Sequence, residues 1–185
     1  MSQLSPSSSK LLDSAEGPLS EEALLRGRID VFVGVLRGVG LPVQPLSAES
    51  DRLLRTADPL ALRAARGGLD SYLQLLNSCR DEKGNIRSSR QLTWSALKIL
   101  GLKPPMDFFD KIQDEDIVEI YNAEQVQIFR TLEFFELCSY DVASILLIPC
   151  FELYRRSARM AEIGLKEMND SLLSGTTTVP FDMPS

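Results

Sequence analysis

The chain contains no histidine. That absence removes the commonest general base at neutral pH, imidazole ligation of haem or zinc, and self-phosphorylation on histidine. Cysteine is scarce: Cys79, Cys138 and Cys150 show no metal-like pairing, and three thiols leave one over in any disulfide scheme. Apolar runs are short. "IDVFVGVL", residues 29–36, falls far below the roughly 20 residues that a membrane-spanning helix needs. Neither the P-loop nor the Rossmann glycine spacing occurs. The opening "MSQLSPSSSKLLDSAEG" has no basic start and no apolar stretch, so it does not read as a secretory signal. Together these absences predict a soluble cytoplasmic protein with buried, reduced thiols.

What is present is enough for a core. Of 185 residues, 44% are hydrophobic and 25% charged, which fits one domain with extensions or two small units. Charge is uneven: residues 1–105 carry 14 Lys and Arg against 11 Asp and Glu, whereas residues 106–185 carry 6 against 15. An acidic second half repels phosphate backbones, which argues against a nucleic-acid partner. In the first half the arginines alternate with apolar residues, as on a solvated helix face.

Residues 1–19, rich in serine with Pro6, Gly17 and Pro18, read as a disordered tail. A helical region is expected over 20–105. Ser20 caps its first helix, with Glu21 and Glu22 at the positive end of the dipole; Leu25, Ile29, Phe32, Val33 and Leu36 form its stripe, and Gly38, Gly40 and Pro42 end it. Gly34 and Gly38 are spaced for a close helix approach. After a proline-containing loop, Asp58 and Pro59 start a second helix, with Leu62, Ala65, Leu69, Leu73 and Leu76 on its inner side. Gly67–Gly68 marks a bend or a close contact within it. Ser88 and Gln91 form a capping box for a third helix, in which Leu92, Ala96, Ile99 and Leu100 are expected to face inward. Three amphipathic helices make a small bundle or cap.

The pattern changes after Pro105. "DIVEIYN" and "QVQIFR" are short, rich in β-branched and aromatic residues, and near-alternating in polarity. They predict an antiparallel hairpin over 117–122 and 126–130, with Val118 and Ile120 on one face and Val126 and Ile128 on one face of its partner. An amphipathic run follows at 156–173, with Met160, Ile163, Met168 and Leu172 roughly on one side. Residues 176–185 read as a tail.

The order over 115–153 resembles the start of a PAS sensor domain. Ile117, Val118 and Ile120 stand in the first strand, and Val126, Ile128 and Phe129 in the second; Phe134, Leu137 and Tyr140 stand at the aromatic, leucine and tyrosine positions. Ile145 and Leu146 fill the next helix, and Pro149 follows the tyrosine at the family's spacing of nine residues. The departures are Thr131–Leu132 for asparagine-proline, Ser139 for glycine, and Leu147 for a later glycine. The stretch after Pro149 is short for the strands that complete the family's sheet. The resemblance implies a partial PAS-like unit over 106–175, with a small apolar space between sheet and helices. Its pocket or core candidates are Ile117, Ile128, Phe134, Leu137, Tyr140, Leu146 and Phe151.

The acidic segment "DKIQDEDIVE" offers adjacent carboxylates that diverge, which suits a solvated turn better than a metal site. No basic neighbour lowers the Cys138 pKa. The overall expectation is an α+β protein, a helical bundle or cap followed by the partial PAS-like unit, with no catalytic, cofactor or metal residues. Its expected function is non-catalytic signal transduction through protein–protein contact with a partner or output domain. A homodimer through Met160, Ile163, Met168 and Leu172 is also expected, and no nucleic-acid or membrane contact. A helical adaptor without sensing is the alternative. A DNA-binding regulator reading with "SSRQLTWSALKILGL", through Arg87, Arg90 and Lys98, is the weaker one.

Overall fold

The computed structural model describes residues 19–105, 107–121, 127–148 and 150–153, with the backbone alone at Cys150 and Phe151. The amphipathic run expected at 156–173, the tail expected at 176–185, Val126, Pro149 and residues 1–18 of the first tail lie outside these residues. Four helices come first: α1 (Glu21–Gly38), α2 (Ala48–Thr56), α3 (Pro59–Asp81) and α4 (Ser89–Ile99). A single 3-10 turn at Phe109–Lys111 precedes β1 (Glu119–Tyr121) and β2 (Gln127–Arg130). The short helices α5 (Phe134–Leu137), α6 (Val142–Leu147) and α7 (Cys150–Leu153) follow. The described chain is thus a mostly helical α+β structure with a two-stranded antiparallel sheet.

The helix starts follow from their caps. Ser20 Oγ accepts from the Ala23 amide at 3.2 Å, an Asp58 carboxylate oxygen from Leu60 at 2.7 Å, and Ser88 Oγ from Gln91 at 3.3 Å. Only half of the expected capping box closes: the Gln91 side chain accepts from the Asn85 amide rather than from Ser88. Helix α2 sits where a loop is expected. Four of its nine residues are charged and only Ser50 and Leu54 are buried, so it carries little apolar periodicity. Ser47 caps it, accepting from the Ser50 amide at 3.0 Å.

One core runs through both halves of the chain. Leu25, Ile29, Phe32 and Leu36 of α1 pack with Leu62, Leu69, Leu73 and Leu76 of α3 and with Leu92 and Ala96 of α4. Phe129, Leu132, Val142 and Ala143 complete the same cluster. The helical region and the unit after it therefore share one interior. Ile99 and Leu100, expected inside, are 57% and 41% exposed, because α4 ends at Ile99 and turns its last residues outward past the core. The glycine pairs mark no close approach either: a Cβ at Gly34, Gly38, Gly67 or Gly68 would meet nothing within 4 Å. Helix α3 runs unbroken through Gly67–Gly68.

The hairpin forms where expected, with a bulge. Glu119 pairs with Arg130 and Ile120 with Phe129, but Tyr121 pairs with Gln127, which leaves Ile128 as the extra residue. That shift changes which side chain points inward. Phe129 is buried, whereas Ile128 is 42% exposed, so the expected inward face of the second strand is corrected by one residue. Ile117 is also exposed, since it lies in extended chain before β1 begins. Leu137 is 77% exposed. Helix α5 stops at Leu137 and Cys138 turns extended, so the expected i, i+3, i+6 stripe of Phe134, Leu137 and Tyr140 has no helix to carry it. Phe135 takes the inward place instead, meeting Phe32 edge to face at 5.3 Å.

Candidate functional site

Between α3, the end of α4, β2, α5 and α6 lies an open cleft of about 520 Å³. Phe32, Tyr72 and Phe135 form its floor, Ile145 and Leu146 of α6 one wall, and Ile99 and Leu100 the rim of α4. The whole of β2, from Gln127 to Arg130, runs along it. Its lining is overwhelmingly apolar, and at the rim Ile99, Leu100 and Ile128 remain exposed. The bulge is what turns Ile128 out to that rim.

Polar contacts hold the walls apart and in place. Tyr72 Oη donates to the Arg130 carbonyl oxygen at 2.5 Å, tying α3 to β2. Burial pushes the Tyr72 phenol well above its usual pKa, so it stays a neutral donor across the physiological range. Arg130 is only 8% exposed. Its Nη2 pairs with Glu119 at 2.9 Å, and its guanidinium lies 3.5 Å from the centre of the Phe134 ring. Its Nε and Nη1 are buried without a hydrogen-bond partner among the described residues.

Below the cleft, Asp141 fastens α6 to α2. It caps α6 by accepting from the Ser144 amide at 3.0 Å, and it accepts from Ser50 Oγ at 2.7 Å and the Ser47 amide at 3.2 Å. Ser50 and Ser144 share a further hydroxyl contact at 2.6 Å. Burial alone would raise the Asp141 pKa. The donors from Ser144, Ser50 and Ser47 outweigh it and hold the carboxyl below its ordinary range.

Two more anchors fix the hairpin unit to α4. Thr131, fully buried, accepts from the Val118 amide at 2.9 Å and donates to the Asp116 carbonyl, which also accepts from Ser89 Oγ at 2.7 Å. Arg87 reaches Glu133 at 3.0 Å and Glu136 at 3.1 Å. Burial raises the Glu133 pKa, and the nearby Glu136 adds to it against the pull of Arg87.

The acidic segment has structural partners as well. Asp114 accepts from Ser88 Oγ at 2.5 Å, and Asp116 Oδ2 from the Gln113 amide at 2.8 Å. No group of acidic and thiol side chains among the described residues is arranged to hold a metal ion. Cys138 is half-buried, and burial raises its thiol pKa, the wrong direction for a nucleophile. The cations of the α4 segment each lie beside a carboxylate: Arg87 as above, Arg90 near Asp110 at 3.4 Å, and Lys98 on Glu82 at 2.5 Å.

Of the sequence-derived candidates, Ile128 and Leu146 come together in the cleft. Phe134 is half-buried beneath Arg130, and Tyr140 is half-buried after α5. Ile117 and Leu137 stand in solvent. The Phe151 side chain, and Met160, Ile163, Met168 and Leu172, lie outside the described residues. Sequence reading missed Tyr72, Arg130 and Asp141. Asp141 was legible: an aspartate two residues before an apolar "ASILL" run is a helix cap. The other two depend on contacts 58 residues apart that no local pattern encodes.

Among the described residues no helix is long and apolar enough to cross a membrane. The chain matches no protein-family model, no curated protein and no solved structure.

Proposed function

We propose that this chain is a non-catalytic, cytoplasmic signal-transduction module, in which a partial PAS-like unit is seated on a helical bundle and acts through protein–protein contact at the cleft between them. The observation that carries this reading is the cleft itself: an apolar trough with Ile99, Leu100 and Ile128 exposed along its rim. Soluble chains seldom leave contiguous apolar surface open without a use for it. Around it, Asp141 and Thr131 are committed by hydrogen bonds, and Arg87 by ion pairs, to holding elements together. The cations of α4 are paired with carboxylates, which weighs against a DNA-reading helix.

The test is chemical cross-linking in the native host with the wild-type chain and an Ile99→Glu, Leu100→Glu variant. Both positions are exposed, so the variant should keep its fold. Contact through the cleft predicts that a specific bound protein is lost in the variant. An unchanged set of cross-linked proteins would end this reading.

An adaptor role without sensing has one observation of its own. Trp94 is 53% exposed and meets Phe109 edge to face at 5.2 Å on the opposite side of α4 from the core. If that aromatic pair is the contact, Trp94→Ala abolishes the cross-link and the rim variant does not.

A further inference from the structure

We infer that the cleft is a binding site for a small apolar carboxylic acid, its chain against the aromatic and aliphatic lining and its carboxylate at the guanidinium of Arg130. The inference shares the cleft with the proposed contact but stands on Arg130, not on the exposed rim. A cleft of about 520 Å³ falls within the roughly 300–1,000 Å³ of small-ligand sites, which pair an apolar lining with very few polar groups. Among the described residues that line this one, Arg130 alone is charged.

Arg130 is 8% exposed, so its charge sits inside the protein, and its neighbours leave it incompletely answered. Glu119 takes only Nη2, at 2.9 Å, and is itself 30% exposed, so water shares that carboxylate while the guanidinium stays inside. The Phe134 ring covers one face of the guanidinium at 3.5 Å but offers nothing to the donors in its plane. Nε and Nη1 are buried with no partner among the described residues. Tyr72, on the cleft floor, feels the charge: burial pushes its phenol pKa up, and Arg130 pulls against that push. The guanidinium therefore lies near the floor, where Tyr72 meets β2.

Buried donors in native proteins are nearly always paired, and arginine cannot shed its proton to escape the cost. A carboxylate supplies both the missing acceptor and the opposite charge, in a hydrogen bond about twice as strong as one between neutral groups. Phe32, Phe135, Ile145 and Leu146 supply apolar surface for the rest of the molecule. Because the free donors lie beneath the lining, a slender head group suits them, which favours a free acid over an acidic side chain of a folded partner.

Titrating the purified full chain with decanoate, decanol and decylamine tests this. Affinity is read by calorimetry, and the Arg130 Nε–H signal is followed in a nitrogen–proton correlation spectrum, identified by its loss in Arg130→Lys. Decanoate is expected to bind at least about tenfold more tightly than decanol, with decylamine the weakest. It should move the Arg130 Nε–H signal together with the amides of β2, Ile145 and Leu146. Arg130→Lys keeps the charge but not the guanidinium donors, so the preference for decanoate over decanol should fall below about threefold. Should that variant not fold, the wild-type comparison of the three head groups still decides. No binding of decanoate, equal affinity for decanoate and decanol, or binding that leaves the Nε–H signal in place would overturn the inference. So would a shift caused by an apolar peptide with a free C-terminal carboxylate and not by decanoate, which would make a protein the occupant. Because no partner is present, failure here leaves the host cross-linking result standing, and failure there leaves this one standing.

Discussion

Asp141 is the residue on which the seating of α6 depends most. It caps a helix, and its two other partners belong to a different helix nearly a hundred residues earlier. Hydrogen bonds to a charged group contribute about 1.5–3 kcal/mol, so Asp141→Ala should cost about 3 kcal/mol in chemical denaturation at pH 7. A loss below about 0.5 kcal/mol would place the carboxylate outside the structure's working contacts. The pH dependence has a definite sign. The folded pKa of Asp141 is depressed, so its stabilisation is complete above the unfolded value and is lost as pH falls through the folded one. The gap between wild type and Asp141→Asn should therefore narrow on acidification. Glu133 works in the other direction. Its folded pKa is raised by burial, so acidification through that pKa favours the fold, and Glu133→Gln should remove this component. At α5, Phe135→Ala should cost about 3 kcal/mol through its contact with Phe32, whereas Leu137→Ala should change stability by less than about 0.5 kcal/mol. Equal losses at the two positions would restore the Phe134–Leu137–Tyr140 stripe that sequence spacing suggests.

Among the elements, α1, α3 and α4 are legible because each announces itself twice, by a capping side chain and by leucines at helical spacing. Helix α2 is not legible: its charged residues hide a single buried leucine, and its place is set by Asp141 from far along the chain. The hairpin could be read from alternation, but its register could not, since the bulge at Ile128 flips inside and outside by one position. An apolar space between sheet and helices was expected, with Ile128 and Leu146 in it, but its rim was not legible, because the bulge and the outward end of α4 that make it both depart from the local pattern. Two glycines separate propensity from packing. Gly67 lies inside α3 with open space around it, so Gly67→Ala should stabilise by about 1 kcal/mol in thermal or urea unfolding. Gly84 closes the turn after α3, its amide donating to the Cys79 carbonyl at 2.8 Å. A Cβ there would lie 2.7 Å from Cys79 Sγ and 2.9 Å from that carbonyl oxygen, so Gly84→Ala should destabilise by about 1–3 kcal/mol. Opposite signs are expected for the two changes, and a shared sign would contradict the packing described at one of them.

At the scale of the whole molecule, the described part of the unit after Pro105 shares its interior with the helices before it. Among the described residues after Pro105, Phe129, Leu132, Val142 and Ala143 belong to the cluster built by α1, α3 and α4, whereas Ile112 and Leu153 are buried outside it. A two-stranded hairpin is marginal in water unless it packs on something else, and here the helices supply that support. The two halves therefore meet through a shared core. Phe32 meets both Tyr72 and Phe135, and Tyr72 also donates to the Arg130 carbonyl, so side chains of α1 and α3 contact both α5 and β2. Native-state hydrogen exchange on the full chain tests this shared core most directly. The amides of β1, β2 and α6 should be protected to within about 1 kcal/mol of those of α3, and Asp141→Ala should lower all of them together. Two separate protection levels, with the hairpin and α6 opening well below α3 and only they responding to the substitution, would contradict it.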